Sequence, residues 1–289
     1  MSLFEQRFLV VYSILLFCAC GDGPVKETER PPVAEKINTA AAEYDFSKPL
    51  IIKLKKKLKE ISGIFYLADN QFASIEDESG TIFLLDYTTG MVTNTIDFAG
   101  NGDYEDIVAD DNYYYVLESS GIIFRVARNA TSPVEKYELP RKKSREFESI
   151  FLEKEKGKLI MLCKECKHKD DLKEGYCLDL KSFDFNKQPC FSLDFTSLEN
   201  ALPSGTVLKP SAAAINPSDQ KLYVLCSVGK TLLRCTRDGK IEKVFPLDQN
   251  TFRQPEGLTF LPNGDMYISN EAAGEQATLV KISYLQQPK

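Results

Sequence analysis

One local pattern returns five times along the chain: a Ser or Glu begins a short apolar run, and a polar turn separates that run from a second β-rich run. The five openings are at Ser62, Glu105, Glu148, Ser211 and Glu256. Successive openings are 43, 43, 63 and 45 residues apart. A repeat of about 40 residues that contains four strands is typical of β-propellers, in which each repeat forms one blade. The repeat therefore predicts an all-β fold, a five-bladed β-propeller.

The second repeat shows the strands of a blade most clearly. Runs rich in β-branched and aromatic residues lie at 105–108, 113–117, 122–126 and 134–139, with Asp, Asn, Ser, Gly and Pro between them. The fifth repeat stops one strand short, whereas residues 49–55 form a strand-like run that precedes the first repeat. We expect this N-terminal strand to close the ring, because closure covers two exposed sheet edges.

Two features of the repeats need a separate explanation. The wide spacing of the third repeat is assigned to two polar connections, residues 167–173 and 196–206, rather than to a sixth blade, because neither stretch supplies four strands. The basic run at 55–59 fits an outer strand whose Lys side chains keep the sheet edge from aggregating. The alternative is that these residues form a patch that lies on the membrane surface.

The first residues predict export. Residues 8–17 are an apolar run that follows Arg7 and is too short to span a bilayer. The run leads into Leu16-Phe17-Cys18-Ala19-Cys20-Gly21, which resembles a bacterial lipobox with Cys20 as the lipidated residue. Phe17 departs from the Leu that is usual there. Cleavage nearby without lipidation is the alternative.

These features divide the chain into three predicted segments. Residues 1–19 are the signal peptide, residues 20–44 are the lipidated Cys20 and a flexible tether, and residues 45–289 are the propeller. We expect a monomer at the cell envelope. Its lipid anchors it to the membrane, and the protein faces the periplasm or the exterior. A net charge of −6 argues against nucleic acid as a partner, because no basic face would neutralise phosphates.

Superposition of the repeats places polar side chains in two columns beside the predicted channel. The first column holds Ser62, Glu105, Glu148, Ser211 and Glu256, and the second holds Glu76, Glu118, Lys164, Ser227 and Glu271. Carboxylates that face one another raise one another's pKa unless a cation lies between them. A hard cation such as Ca²⁺ prefers carboxylate, carbonyl and hydroxyl oxygens.

The columns supply the candidate site residues. We predict metal ligands at Glu105, Glu148 and Glu256, with Ca²⁺ as the candidate cofactor. Ligand-binding residues are predicted at Ser62, Glu118, Ser211 and Glu271. The alternative is a structural role, in which these side chains bond to backbone groups of neighbouring blades and hold the ring together.

Several spaced motifs resemble those of the SdiA-regulated family of bacterial exported proteins. They are Ile61–Ile64, Gly102–Ile107, Tyr115–Glu118, Lys209–Ala212, and Gln254–Leu258 with Ser269–Glu271. The resemblance covers about residues 45–285. It implies a five-bladed propeller at the cell envelope with a possible cation in its channel, and it supplies no catalytic residues. Asp106 and Ser149 stand where other blades carry Gly63 and Gly257, which argues against close backbone approach of a ligand at those two blades.

Six cysteines follow the signal region: Cys163, Cys166, Cys177, Cys190, Cys226 and Cys235. An even number in an exported chain permits disulfides. The spacing of Cys163 and Cys166, beside the only histidine, His168, also permits a zinc site. Buried thiols that fill sheet positions are the third interpretation.

The sequence shows no familiar hydrolytic motif. No Ser-His-Asp arrangement can be assembled around His168, and Gly-rich phosphate loops are absent. We therefore expect an envelope lipoprotein, not evidently catalytic, whose propeller binds a small ligand, a cation or an envelope protein. A Ca²⁺-dependent hydrolase that uses the channel carboxylates is the alternative, by analogy with other propellers. A scaffold that captures a partner through residues 196–206 is a third possibility.

Overall fold

Five four-stranded antiparallel sheets make up the computed structural model, which describes residues 43–129, 132–140, 145–166, 171–198 and 201–285. Strand β1 (Leu50–Lys53) comes first in the chain and belongs to the last sheet. The first blade holds β2 (Ile61–Ala68), β3 (Gln71–Glu76), β4 (Thr81–Asp86) and β5 (Met91–Asp97). The second holds β6 (Tyr104–Ala109), β7 (Tyr113–Glu118), β8 (Ile122–Ala127) and β9 (Glu135–Glu138).

The remaining blades repeat this order from the channel outward. The third blade holds β10 (Glu146–Glu153), β11 (Lys158–Glu165), β12 (Leu172–Asp179) and β13 (Phe191–Asp194). The fourth holds β14 (Lys209–Ile215), β15 (Leu222–Val228), β16 (Thr231–Cys235) and β17 (Ile241–Pro246). The fifth holds β18 (Pro255–Phe260), β19 (Met266–Asn270), β20 (Thr278–Ile282) and β1. Short 3-10 helices lie at Lys56–Leu58, Lys154–Lys156 and Phe195–Leu198.

The N-terminal strand closes the ring, as predicted. β1 pairs antiparallel with β20, with Ile51 opposite Val280 and Ile52 opposite Leu279. Ile52 is buried, whereas its neighbour Ile51 is 50% exposed, so one face of the strand packs against the core. The five-bladed all-β propeller is thereby confirmed, and the described residues of the widely spaced third repeat form a single sheet.

The hydrophobic core lies between the blades. Each of the five apolar clusters found among the described residues takes side chains from two adjoining blades. Phe72 of the first blade packs edge-on against Tyr267 of the fifth, with ring centroids 5.0 Å apart. Tyr223 of the fourth blade meets Phe260 of the fifth at 5.1 Å. Such aromatic contacts fix the blades against one another and hold the channel-lining strands in place.

Asp106 bridges the innermost strands of the second and third blades. One carboxylate oxygen accepts from the Ile107 N–H at 2.8 Å and the other accepts from the Ile150 N–H at 2.9 Å. A Cβ at Gly63, the matching position of the first blade, would lie 2.7 Å from the Asp106 Cα. Gly63 is therefore required by the close approach of a neighbouring strand, and no ligand is needed to explain it.

The cysteines divide between two of the three interpretations. Cys163 pairs with Cys166 and Cys177 pairs with Cys190 as disulfides. Cys226 and Cys235 are buried free thiols. His168 lies outside the described residues.

The N-terminal predictions fall mostly outside the described part of the chain. This holds for the signal peptide, Cys20 and the tether up to residue 42. Tyr44, at the predicted end of the tether, is 1% exposed and donates from its hydroxyl to the Gly264 carbonyl at 3.0 Å. Within the described ranges no helix is long and apolar enough to cross a membrane.

Candidate functional site at the acidic mouth of the channel

Both polar columns lie at one end of the central channel. The first column is at the start of the innermost strands, and the second is at the end of the strand that runs back beside each of them. The strand register shows this directly, because Ile61 pairs with Glu76 and Tyr104 pairs with Glu118. We call this end the acidic mouth. Among the described residues, its charged side chains include Glu60, Glu76, Asp77, Asp103, Glu105, Glu118, Glu146, Glu148, Lys164, Lys209, Lys230, Glu256 and Glu271.

Lys164 and Glu148 form an ion pair inside the acidic mouth. Glu148 is 6% exposed, and its Oε1 accepts from the Lys164 ammonium group. The Lys164 Nζ also lies 4.0 Å from Glu146 Oε1. Lys164 sits where the register between β10 and β11 shifts, since Glu146 pairs with Glu165 but Phe147 pairs with Cys163. Such a bulge changes the direction of a side chain, and here it accompanies a lysine that reaches the buried carboxylate.

Glu105 and Glu256 interact across the channel, from the second and fifth blades. Burial raises the pKa of Glu105 to about 8, and repulsion from Asp103 and Glu256 adds to the rise. Burial also raises the pKa of Glu256 to about 8, with repulsion from Glu271 as the next cause. The Lys164 ammonium group opposes both shifts, and Lys230 also opposes the shift of Glu256. Two carboxyl groups are thus held in an environment that disfavours their charge unless further positive charge arrives.

Glu271 extends the acidic mouth toward the first blade. Burial raises its pKa to about 7, and Asp77 and Glu60 repel its charge. A hydrogen bond from the Gln254 side chain acts in the opposite direction, as does Lys164. The negative charge is therefore continuous from the fifth blade into the first.

The first blade contributes a compact carboxylate cluster. Oxygens of Glu60, Glu76 and Asp77 all lie within 4.8 Å of one another. Burial raises the pKa of Asp77 to about 6, with repulsion from Glu60 as the next cause. Asp77 Oδ1 is buried without a hydrogen-bond partner, whereas Glu60 pairs with Lys59 at 2.8 Å. Oxygen atoms at this spacing could hold a hard cation.

The predicted site residues separate into a group around Lys164, a pair that joins blades, and Glu118. Glu105, Glu148, Glu256 and Glu271 come together around Lys164. Ser62 and Ser211 instead join blades: the Ser62 carbonyl accepts from Ser269 Oγ at 2.9 Å, and Ser211 Oγ donates to the Pro255 carbonyl at 3.0 Å. Glu118 accepts from the Ser120 hydroxyl at 2.6 Å.

A third polar column was not predicted from the sequence. It lies two residues before the first column and holds Glu60, Asp103, Glu146, Lys209 and Gln254. Residues i and i−2 of a strand lie on the same face, so the period of two could have revealed this column. Lys164 stood in the second column, but its role as the cation of the acidic mouth was not predicted.

The fold and the acidic mouth define a class: an all-β five-bladed propeller whose channel opens through a ring of carboxyl groups that includes the Lys164–Glu148 ion pair. A family model described as SdiA-regulated matches residues 39–274. The chain belongs to this family, and the resemblance noted in its motifs is confirmed. No curated protein sequence matches the chain.

Solved propeller structures resemble the chain in fold. Glutaminyl cyclase from Myxococcus xanthus is 12% identical, with a TM-score of 0.55 over 82% of this chain and 96% of that one. A protein of unknown function from Bacteroides thetaiotaomicron is 12% identical, with a TM-score of 0.52 over 78% of this chain and 57% of that one. A luciferin-regenerating enzyme is 10% identical, with a TM-score of 0.50 over 82% and 95%. At such low sequence identities, the structural similarity shows a shared fold and nothing about activity.

Proposed function

We propose that this protein is an exported, lipid-anchored binding protein whose acidic mouth takes a small cation, with Ca²⁺ as the first candidate. The observation that carries the proposal is the charge balance of the acidic mouth. Among the described residues, Lys164 acts on Glu105, Glu148, Glu256 and Glu271 together, and Lys230 acts on Glu256 as well. These two lysines face four carboxyl groups, which leaves room for further positive charge.

The raised pKa values support the same proposal. Glu105 and Glu256 have pKa values of about 8, so each carboxyl group is protonated in a large fraction of the molecules at neutral pH. A bound cation would favour the charged forms and release those protons. The second supporting feature is the cluster of Glu60, Glu76 and Asp77, which offers three more oxygens at the same end of the channel.

The binding proposal can be tested with defined probes. Protein purified with its natural ions is analysed for bound metals, then stripped with chelator and titrated with CaCl₂, MgCl₂ or putrescine while thermal unfolding is followed. We expect Ca²⁺ or putrescine to raise the unfolding temperature of the native protein in a saturable way. Glu105→Gln and Glu256→Gln should weaken this effect about tenfold or more.

A matched control separates the site from general charge effects. Glu138 is an exposed carboxylate on the outermost strand β9, three strands outward from the channel-lining β6, so Glu138→Gln removes the same charge away from the channel. The control should bind each probe as the native protein does. If none of the three probes stabilises the native protein, or if all variants respond alike, the cation site is excluded.

The lipid anchor is a separate part of the proposal and rests on the lipobox-like sequence around Cys20. Lipid attachment is tested by mass spectrometry of the mature N-terminus and by the distribution of Cys20→Ser between membrane and soluble fractions. Loss of the protein from the membrane fraction supports the anchor. An unmodified N-terminus in the native protein would refute it without affecting the cation site.

A Ca²⁺-dependent hydrolase is the second candidate, and the Glu60, Glu76 and Asp77 cluster is the observation that favours it. A divalent cation supplies Lewis acidity to hydrolases of this kind. The chain would contribute carboxylates that hold the ion and, in Glu105 and Glu256, groups that exchange protons near neutral pH. Ester hydrolysis that needs Ca²⁺ and fails in Asp77→Asn would support this candidate. The absence of divalent-ion binding would eliminate it.

A further inference from the structure

The end of the channel opposite the acidic mouth holds a cavity. Its volume is about 490 Å³. Corresponding runs of all five innermost strands form its wall: residues 64–67, 106–109, 150–152, 213–215 and 258–260. These runs come after the acidic columns in each strand, so the cavity and the acidic mouth occupy different ends of the same axis.

The wall of the cavity is mainly apolar and is not fully covered by the protein. Phe65, Tyr66 and Leu67 of the first blade are only half-buried, as are Leu152 of the third blade and Ile215 of the fourth. Apolar side chains that face a concave space lose contact with water when a ligand enters, which favours binding. Volumes of about 300–1,000 Å³ are usual for small-molecule sites.

The charged side chains at the rim compensate one another. Arg128, Lys154 and Arg237 line the cavity together with Asp110, Asp111 and Glu155. Arg237 forms an ion pair with the buried Glu153, and Lys154 lies 3.6 Å from Asp111. The rim therefore differs from the acidic mouth, where carboxyl groups outnumber the lysines. A charged ligand would gain little here, because the local charges are matched.

Backbone groups supply polarity along the wall. Every innermost strand is the terminal strand of its sheet, so one of its backbone edges faces the channel and not another strand. Side chains of neighbouring blades satisfy part of this edge, as when the Tyr66 N–H donates to Thr259 Oγ1 at 3.0 Å. A ligand in the channel would lie beside these backbone edges.

We propose that this cavity is a second binding site, for an uncharged and mainly apolar small molecule that carries hydrogen-bonding groups along its length. The apolar wall selects the body of the ligand, the compensated rim selects against net charge, and the strand edges bind its polar groups. The site is independent of the acidic mouth, and its failure would leave the cation proposal untouched.

The test uses two dyes of similar size, the neutral N-phenyl-1-naphthylamine and the anionic 8-anilinonaphthalene-1-sulfonate. We expect the full-length protein to bind the neutral dye in a saturable way, with one dye per chain, and at least tenfold more tightly than the anionic dye. Ala214→Trp fills part of the cavity and should weaken binding of the neutral dye at least tenfold. Thr95→Trp adds the same side chain to the exposed face of β5 and should bind as the native protein does.

A second variant locates the dye even if Ala214→Trp fails to fold. The chain contains no Trp, so Glu155→Trp places a single indole at the exposed rim of the cavity without filling it. Energy transfer from this indole to the bound neutral dye should be several times stronger than transfer from the indole of Thr95→Trp. Unsaturable binding, equal transfer from both positions, equal affinity for both dyes, or a folded Ala214→Trp protein with native affinity would each overturn the proposal.

Discussion

Lys164 pairs with the buried Glu148 across a strand irregularity in the third blade. The same ammonium group favours the charged forms of Glu105 in the second blade and of Glu256 and Glu271 in the fifth. One side chain thus moderates the negative charge that three blades bring to the acidic mouth. The ion pair is a structural contact. Its ammonium group also reduces the negative charge that is available to a further cation.

Loss of Lys164 should destabilise the protein more than loss of the pair as a whole. Lys164→Met leaves Glu148 buried without its partner, which we expect to cost about 3 kcal/mol at pH 7. Adding Glu148→Gln removes the isolated charge, and the double variant should recover at least about 1 kcal/mol of that loss. Urea unfolding measures the native protein, each single variant and the double variant. An exposed control, Lys154→Met, should change stability by less than about 0.5 kcal/mol. Additive effects of the two substitutions would contradict the coupling.

The raised pKa values make stability fall as pH rises. Glu105 and Glu256 titrate near 4.5 in the unfolded chain and at about 8 in the folded one, so the folded state binds more protons between these limits. Stability therefore declines from pH 4.5 to pH 8 in protein free of metal. Glu256→Gln should be more stable than the native protein by about 1–2 kcal/mol at pH 8.5 and equal to it at pH 4.

Chelator-treated protein, unfolded in urea at several pH values, gives the comparison. Glu138→Gln serves again as the exposed control and should follow the native curve. A Glu256→Gln curve that runs parallel to the native one at every pH would show that burial does not raise the pKa of this carboxyl group.

The fold could be predicted from the sequence because propeller blades are built from local signals. β-rich runs and turn residues repeat along the chain, and the strand missing after β20 matched the surplus strand β1. The acidic mouth was predicted in part, since the start of each innermost strand can be identified in every repeat. The direction of Lys164 could not be predicted, because it depends on a register shift between β10 and β11. The partner of Ser211 is a backbone carbonyl 44 residues away, which no pattern of side chains specifies.

Asp106 should stabilise the contact between the second and third blades. Asp106→Ala leaves the buried N–H groups of Ile107 and Ile150 without their acceptor, which should cost about 2–4 kcal/mol in thermal or urea unfolding. Asp106→Asn keeps one acceptor oxygen and should cost less. Equal losses in the two variants would indicate that packing, not hydrogen bonding, explains the effect.

Ring closure by β1 can be tested with two neighbouring residues of the same type. Ile52 is 8% exposed and Ile51 is 50% exposed, although they are adjacent in one strand. Ile52→Ala should lower the free energy of unfolding by about 2–4 kcal/mol, because it leaves a cavity against the core. Ile51→Ala should change it by less than about 1 kcal/mol. Similar losses at both positions would mean that β1 does not pack as described.

The most direct test of the cation site is calorimetric titration of metal-free protein with CaCl₂ at pH 7, in two buffers that differ in ionisation enthalpy. Glu105 and Glu256, with pKa values of about 8, should release protons as the ion binds, so the measured heat should differ between the buffers. The variant that combines Glu105→Gln with Glu256→Gln should lose both the binding and the proton release. Binding of Ca²⁺ that releases no protons and persists in the double variant would contradict the proposal. The proposal would also be contradicted if neither CaCl₂ nor putrescine gave a saturable heat with the native protein.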